Sequence, residues 1–194
     1  MVKTKRFSSG RLVPLRKSGF KGIPQVGHWL FTCAQDHKEE LKEDGGLDTS
    51  KWFGFIYRVT FLLTGEMYIG KKSFHVSSKW GNAKAQSNWR VYRSSSENIH
   101  ELLEQYPEEC FLFEIVHLCP SRGYMGHAES NIIHKIDAIT AKDSLGLPLY
   151  FNGRAEAVKW ISRDFDGKVV NEMVEKYLDG YWRASLAFAL HHGL

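Results

Sequence analysis

The stretch FGFIYRVTFLLTGEMYIGKKSF, residues 53–74, restricts the fold of this chain more than any other. Phe53, Phe55, Tyr57, Val59 and Phe61 alternate with Ile56, Arg58, Thr60 and Leu62, the two-residue period of a strand. A second short run, about Glu66 to Lys71, follows the Thr64-Gly65 pair, which favours a tight turn. The two runs predict an antiparallel hairpin. Tyr57 and Tyr68 stand at matching points of it, with Lys71 and Lys72 just behind.

A polar stretch separates the hairpin from a segment in which Ile99, Leu102, Leu103 and Tyr106 recur at helical spacing. Ser94 with Glu97 has capping-box spacing, and Pro107 ends the pattern. CFLFEIVHLC, residues 110–119, is a near-continuous apolar run of the sort found at the centre of a small sheet. A second helix is predicted over about Tyr124 to Lys142, with Ile132, Ile133, Ile136 and Ile139 on one face. The order strand, strand, helix, strand, helix, helix predicts an α/β (α+β) domain with a three-stranded, mainly antiparallel sheet flanked by helices.

A chain of 194 residues has room for one such domain with extensions. Residues 1–50 read as a basic arm ending in a short acidic helix, HKEELKED; residues 51–153 form the domain; residues 154–194 form a helical C-terminal extension. No apolar run reaches the roughly 18 residues of a membrane span. The lysine-rich start lacks the apolar stretch of a secretory signal, so no membrane partner and a cytoplasmic location are expected. Cys33, Cys110 and Cys119 lack metal-binding spacing and read as free buried thiols.

The net charge of +4 is modest, but it is unevenly spread. Lys3, Lys5, Arg6, Arg11, Arg16, Lys17 and Lys21 precede any carboxylate, and residues 67–96 hold Lys71, Lys72, Lys79, Lys84, Arg90 and Arg93 without one. Two such clusters point to a polyanionic partner. NWRVYRSSS places Arg90, Arg93, Ser94 and Ser95 before a helix N-terminus, where backbone N–H groups and the dipole favour phosphate. Glu129 leads Ile133 and Ile136 on the apolar stripe of its helix. A carboxylate there is either paired with a cation or a metal ligand. GHAES imitates the H-x-E of zinc deaminases, but no cysteine follows Cys119 to complete that site.

GFIY, a connection of ten residues, then YIGK resembles the signature of the GIY-YIG nuclease superfamily. The later order agrees: a helix, a central strand, a helix carrying Glu129, and PLYFN with Asn152. The chain is most similar to phage-encoded, Seg-like homing and related endonucleases, in which a W-x-x-Y-x-x-S-S stretch precedes the first helix, as in Trp89 to Ser96. The resemblance covers roughly residues 53–153 and departs from the pattern in two places. Gly54 lies one residue early, and where the family carries an arginine this chain has Ser78 and Lys79, its first arginine there being Arg90.

The resemblance implies a DNA endonuclease acting on a substrate expected to be double-stranded, with Mg²⁺ or Mn²⁺ as cofactor. Glu129 would hold the metal, Tyr57 would take the proton of the attacking water, and Lys71 would lower the phenol's proton affinity. Arg90 would clamp a phosphate oxygen, with Lys79 as its alternative, Tyr68 would line the site, and Asn152 would fix geometry. Lys72, Lys79, Lys84, Arg93, Ser94 and Ser95 would contact DNA. The alternative is a non-catalytic nucleic-acid-binding module on the same fold, and oligomeric state is left open.

Overall fold

The computed structural model of the chain describes residues 23–33, 40, 42, 47–76 and 85–153. The arm cations Lys3 to Lys21, most of HKEELKED, Lys79, Lys84 and the extension 154–194 lie outside the described residues. Among the described residues, seven strands and two α-helices follow in chain order: β1 (Gln25–Val26), β2 (Trp29–Phe31), β3 (Gly54–Phe61), β4 (Met67–Ser73), β5 (His75–Val76), β6 (Ala85–Gln86), α1 (Glu97–Gln105), β7 (Phe111–Cys119) and α2 (Arg122–Lys135).

The hairpin forms as its periodicity requires: β3 pairs antiparallel with β4, Tyr57 opposite Gly70 and Ile56 opposite Lys71. Its turn is longer than the predicted pair. Leu62 to Gly65 make a four-residue loop closed by Phe61 N–H to Glu66 O, with Gly65 at φ 77° donating to the Phe61 carbonyl. Only glycine takes that left-handed conformation without strain. On its other side β3 pairs antiparallel with β7, the apolar run expected at the centre.

The sheet has five strands in the order β1-β2-β7-β3-β4, not three. The added pair comes from the segment assigned to the basic arm, and β2 joins β7 in parallel, Trp29 opposite Phe113 and Phe31 opposite Ile115. Three apolar residues are too few for a two-residue period to register, yet Trp29 and Phe31 are completely buried. Burying an aromatic pair of that size outweighs the local glycines and prolines. A register shift on β7 at Val116, between the partners of Ile56 and Tyr57, reverses the alternation along that strand.

Each face of the sheet has its own core. One carries Trp29, Phe55, Tyr57, Val59, Phe61 and Phe113 under Trp89 and the α1 residues Ile99 and Leu102. The other carries Ile56 and Ile69 under Tyr124, Met125, Ala128, Ile132 and Ile133 of α2. The three cysteines are buried.

The first helix starts within the expected Ser94 to Ser96, and the second stops short of its expected end. Ser96, not Ser94, is the N-cap of α1, and the Ser94 hydroxyl instead accepts from Ser96 N–H. The second helix ends at Lys135, not near Lys142. Asp137 at φ 50° closes it, Ala138 N–H donating to Ile133 O and Asp137 N–H to His134 O. This is the left-handed closure usual for glycine, which aspartate tolerates better than most residues. Ile139, placed on the buried stripe by periodicity, therefore lies beyond the helix and is exposed.

Candidate active site

Residues opposite one another in a sheet share a face. Tyr57 with Gly70, Val59 with Tyr68, and Phe55 with Lys72 therefore lie on the aromatic face, whereas Ile56 with Lys71 and Arg58 with Ile69 lie under α2. The two motif tyrosines are neighbours, their ring centroids 6.1 Å apart. Tyr57 is completely buried, with its ring crossing Gly70: a Cβ there would stand 2.5 Å from both Cζ and Oη of the phenol. The glycine of the second motif is thus the floor on which the first motif's tyrosine lies.

The Tyr57 hydroxyl is 3.5 Å from that of Tyr92 and accepts from Ser95 N–H at 3.4 Å. The Tyr68 hydroxyl is 3.1 Å from Ser95 Oγ. Burial, then the Tyr92 and Tyr68 phenols, push the Tyr57 pKa well above its ordinary 10. Trp29 supports the ring from β2 at 5.4 Å and ties down the 87–96 segment, its Nε1 donating to Trp89 O at 2.9 Å.

Lys71 reaches the opposite face, where its ammonium donates to Glu129 Oε2 at 2.6 Å. Glu129, 8% exposed, therefore has a cationic partner on the stripe where its position required one. This corrects the role expected of Lys71, whose side chain is bonded to Glu129 on the face under α2 while the Tyr57 ring lies on the other face. Asn152 acts from the strand's outer edge, its amide accepting from Ile69 N–H at 2.9 Å and donating to Ile69 O at 2.8 Å. Residues 149–151 already run along that edge, Met67 N–H donating to Leu149 O and Phe151 N–H to Met67 O. Asn152 extends this ladder with a side chain.

The remaining expected residues separate. Arg90 is exposed and stacks on the Trp89 ring at 4.5 Å, with no hydrogen bond or ion pair to Tyr57 or Glu129. Arg93 is engaged elsewhere, donating to Glu108 Oε2 at 2.7 and 2.9 Å and facing His28 Nδ1 at 2.8 Å. Ser94 is buried, its carbonyl facing the His100 ring, while Ser95 is exposed between the tyrosines. Lys72 donates to Asn88 Oδ1 at 2.7 Å and lies 4.0 Å from the Tyr92 ring centroid. Among the described residues no three His, Cys, Asp or Glu side chains gather as a metal cage. None of their helices is long and apolar enough to cross a membrane.

Sequence reasoning did not single out Trp29, His28, Tyr92 or the buried pair Arg58–Glu114, joined at 2.6 and 2.8 Å. Only the Tyr92 position carried a usable signal, through the W-x-x-Y-x-x-S-S stretch.

A hairpin holding two tyrosines on one face over a glycine, a central strand behind it, and a glutamate-bearing helix on the other face define a GIY-YIG-type α/β domain. Residues 37–155 match the family described as "Putative endonuclease segE, GIY-YIG domain". The chain belongs to this SegE GIY-YIG family, whose type is that of a nuclease. The match leaves β1 and β2 outside it. No curated protein and no solved structure matches the chain.

Proposed function

We propose that the protein is a metal-dependent endonuclease that hydrolyses phosphodiester bonds of double-stranded DNA. One observation carries the reading: three of the expected groups close on three consecutive residues of β4. Asn152 holds the backbone of Ile69, Tyr57 lies over Gly70, and Glu129 holds the ammonium of Lys71. The phenol and the carboxylate thus flank one strand at adjacent positions.

A single carboxylate fits Mg²⁺ or Mn²⁺, which keep several waters and take one or two protein carboxylates together with substrate phosphate. It does not fit a closed zinc site. When bound, the cation would supply charge stabilisation at the phosphate and the leaving oxygen. Glu129 would hold it, releasing Lys71 to meet a phosphate oxygen. Once its own proton has left to solvent, the Tyr57 oxygen would accept the proton of the attacking water, and Ser95 N–H would donate to that oxygen while it is ionised. Tyr68 would line the phosphate side, and Asn152 would keep β4 in place. Arg90, exposed on its indole, would contact the DNA backbone.

The plasmid-nicking test has three arms: the full chain with Mg²⁺, with EDTA, and as Tyr57→Phe or Glu129→Ala. Nicking that needs Mg²⁺ and falls by about 100-fold or more in both variants is expected. Nicking at the wild-type rate by Glu129→Ala would sink the metal assignment. The Lys71–Glu129 ion pair favours a second reading, a module that binds nucleic acid without cutting it. DNA binding without nicking at any Mg²⁺ concentration would select that reading.

A further inference from the structure

Ser94 stands in the serine run expected to meet DNA, yet it is only 3% exposed. Its hydroxyl accepts from Ser96 N–H at 3.0 Å, and its carbonyl faces the His100 ring. The N-cap of α1 is Ser96, so capping does not account for the buried Ser94 hydroxyl. An oxygen that has accepted one N–H still has its own proton to give. That proton has a partner in Tyr57: the Ser94 side chain is hydrogen-bonded to the phenol, whose oxygen also accepts from Ser95 N–H at 3.4 Å.

We infer that Ser94 is the positioning residue for the ionised Tyr57 oxygen, its hydroxyl donating to that oxygen beside Ser95 N–H, a role that rests on the endonuclease reading above. A donor bonds more strongly to an ionised oxygen than to a neutral hydroxyl, so both groups favour loss of the phenol's proton. They come from adjacent residues, and the bond from Ser96 N–H to Ser94 Oγ keeps the hydroxyl turned the same way. Tyr92 works in the opposite sense. Its hydroxyl, 3.5 Å from that of Tyr57, favours the protonated phenol, as an acceptor of the proton does. The resting chain thus runs from Ser94 O–H to Tyr57 O–H to Tyr92, and loss of the middle proton strengthens the first bond while removing the second.

The titratable and charged groups that share this face with Tyr57 are few among the described residues. β4 presents Tyr68, 3.1 Å from Ser95 Oγ, and Lys72, held by Asn88 Oδ1 at 2.7 Å. The 87–96 segment presents Tyr92. β2 presents Trp29, and β7 presents Ile115 and Phe113, none of which titrates. α1 brings Ile99 and Leu102, and its His100 ring meets the Ser94 carbonyl. Lys71 and Glu129 pair with each other on the face under α2.

The experiment uses the full chain without metal or DNA, with fluorotyrosine at position 57, whose fluorine makes the phenol more acidic and reports its ionisation by ¹⁹F resonance. The ionised fraction is followed through the alkaline range in which the far-ultraviolet signal of the fold persists, in wild type, Ser94→Ala, Ser94→Thr and Ser94→Val. Threonine and valine share a shape and differ in the hydroxyl, so any crowding at the buried position is common to both. The valine variant should be harder to ionise than the threonine variant by about five-fold or more in the ionisation constant, and the alanine variant harder than wild type by a similar factor. A merely loosened site would admit water and move the titration the other way. Equal ionisation constants in the threonine and valine variants, or an easier ionisation in the alanine variant, overturn the assignment. So does a pH–rate profile for single-turnover nicking by the same chains that fails to move with the titration. The nuclease reading fails separately, through the absence of nicking or through nicking that survives Tyr57→Phe.

Discussion

The phenol of Tyr57 occupies the space that a side chain at Gly70 would need, with Cζ and Oη each 2.5 Å from the position of a Cβ. Neither group can yield easily, because the ring is wedged between Trp29 at 5.4 Å and Tyr68 at 6.1 Å. Gly70→Ala should therefore move the hydroxyl from its place more than it unfolds the domain. Single-turnover nicking should fall by about 100-fold, the usual cost of an ångström-scale misplacement, while the melting temperature drops only moderately. Nicking near the wild-type rate would show that the phenol's position on β4 is immaterial.

Arg58 and Glu114 face each other across β3 and β7 with side chains 11% and 2% exposed. A buried pair is of little net stabilisation against an apolar replacement, but breaking it leaves one charge stranded. Glu114→Ala should cost about 3–5 kcal/mol in urea unfolding, whereas the double change Arg58→Met, Glu114→Leu should recover most of that loss. A double variant as unstable as the single one would contradict this.

His28 is held neutral. Burial first, then the Arg93 guanidinium, lowers its pKa from 6.5 to about 4. Above pH 6.5 neither state binds the proton and the contribution to stability is complete. Between 6.5 and about 4 the unfolded chain takes up a proton that the folded chain refuses, so stability is lost as pH falls through that window. His28→Gln keeps a polar partner for Arg93 without titrating. The melting temperature of the wild type should fall more steeply with acid than that of the variant, and parallel curves would rule the effect out.

Two N-terminal deletions should behave differently. Removing residues 1–22 takes away the arm cations Lys3 to Lys21 and leaves β1 and β2 intact. Binding to duplex DNA should weaken, and its log–log salt slope should flatten by about 0.9 for each phosphate that the arm had neutralised, with an unchanged melting temperature. Removing residues 1–31 also takes Trp29 and Phe31 from the core. Losing one buried Trp or Phe costs about 3–5 kcal/mol, so two remove most of a domain's margin and the far-ultraviolet signal of the fold should be lost. A longer deletion that melts like the shorter one would show that the strands are dispensable.

Alternation carried most of the fold. The hairpin, the central strand and both helices were readable because each repeats its pattern over seven or more residues. The edge strands were not, since two and three residues give a period no room to appear. The site was legible as an inventory and less so as an arrangement. Counting by twos from Tyr68 through Gly70 puts Lys72, not Lys71, beside the tyrosines, so that distinction was present in the sequence. The engagement of Arg93 with Glu108 and His28 was not, because no local pattern says which distant acid an arginine will meet.

Both flanks of this sheet are fastened by hydrogen bonds between residues 83 apart in the chain: Thr32 with Ile115 on one side, Ile69 with Asn152 on the other. Closing such long loops loses chain entropy before any packing compensates it, which makes folding slow relative to helical proteins of this size. On the ribosome, the hairpin of β3 and β4 is complete before Ile115 and Asn152, the later partner of each fastener, have been synthesised. Trp29 must wait for β7, and β4 waits longer still for Asn152, so the phenol of Tyr57 gains its rigid surroundings only near the end of translation of the domain.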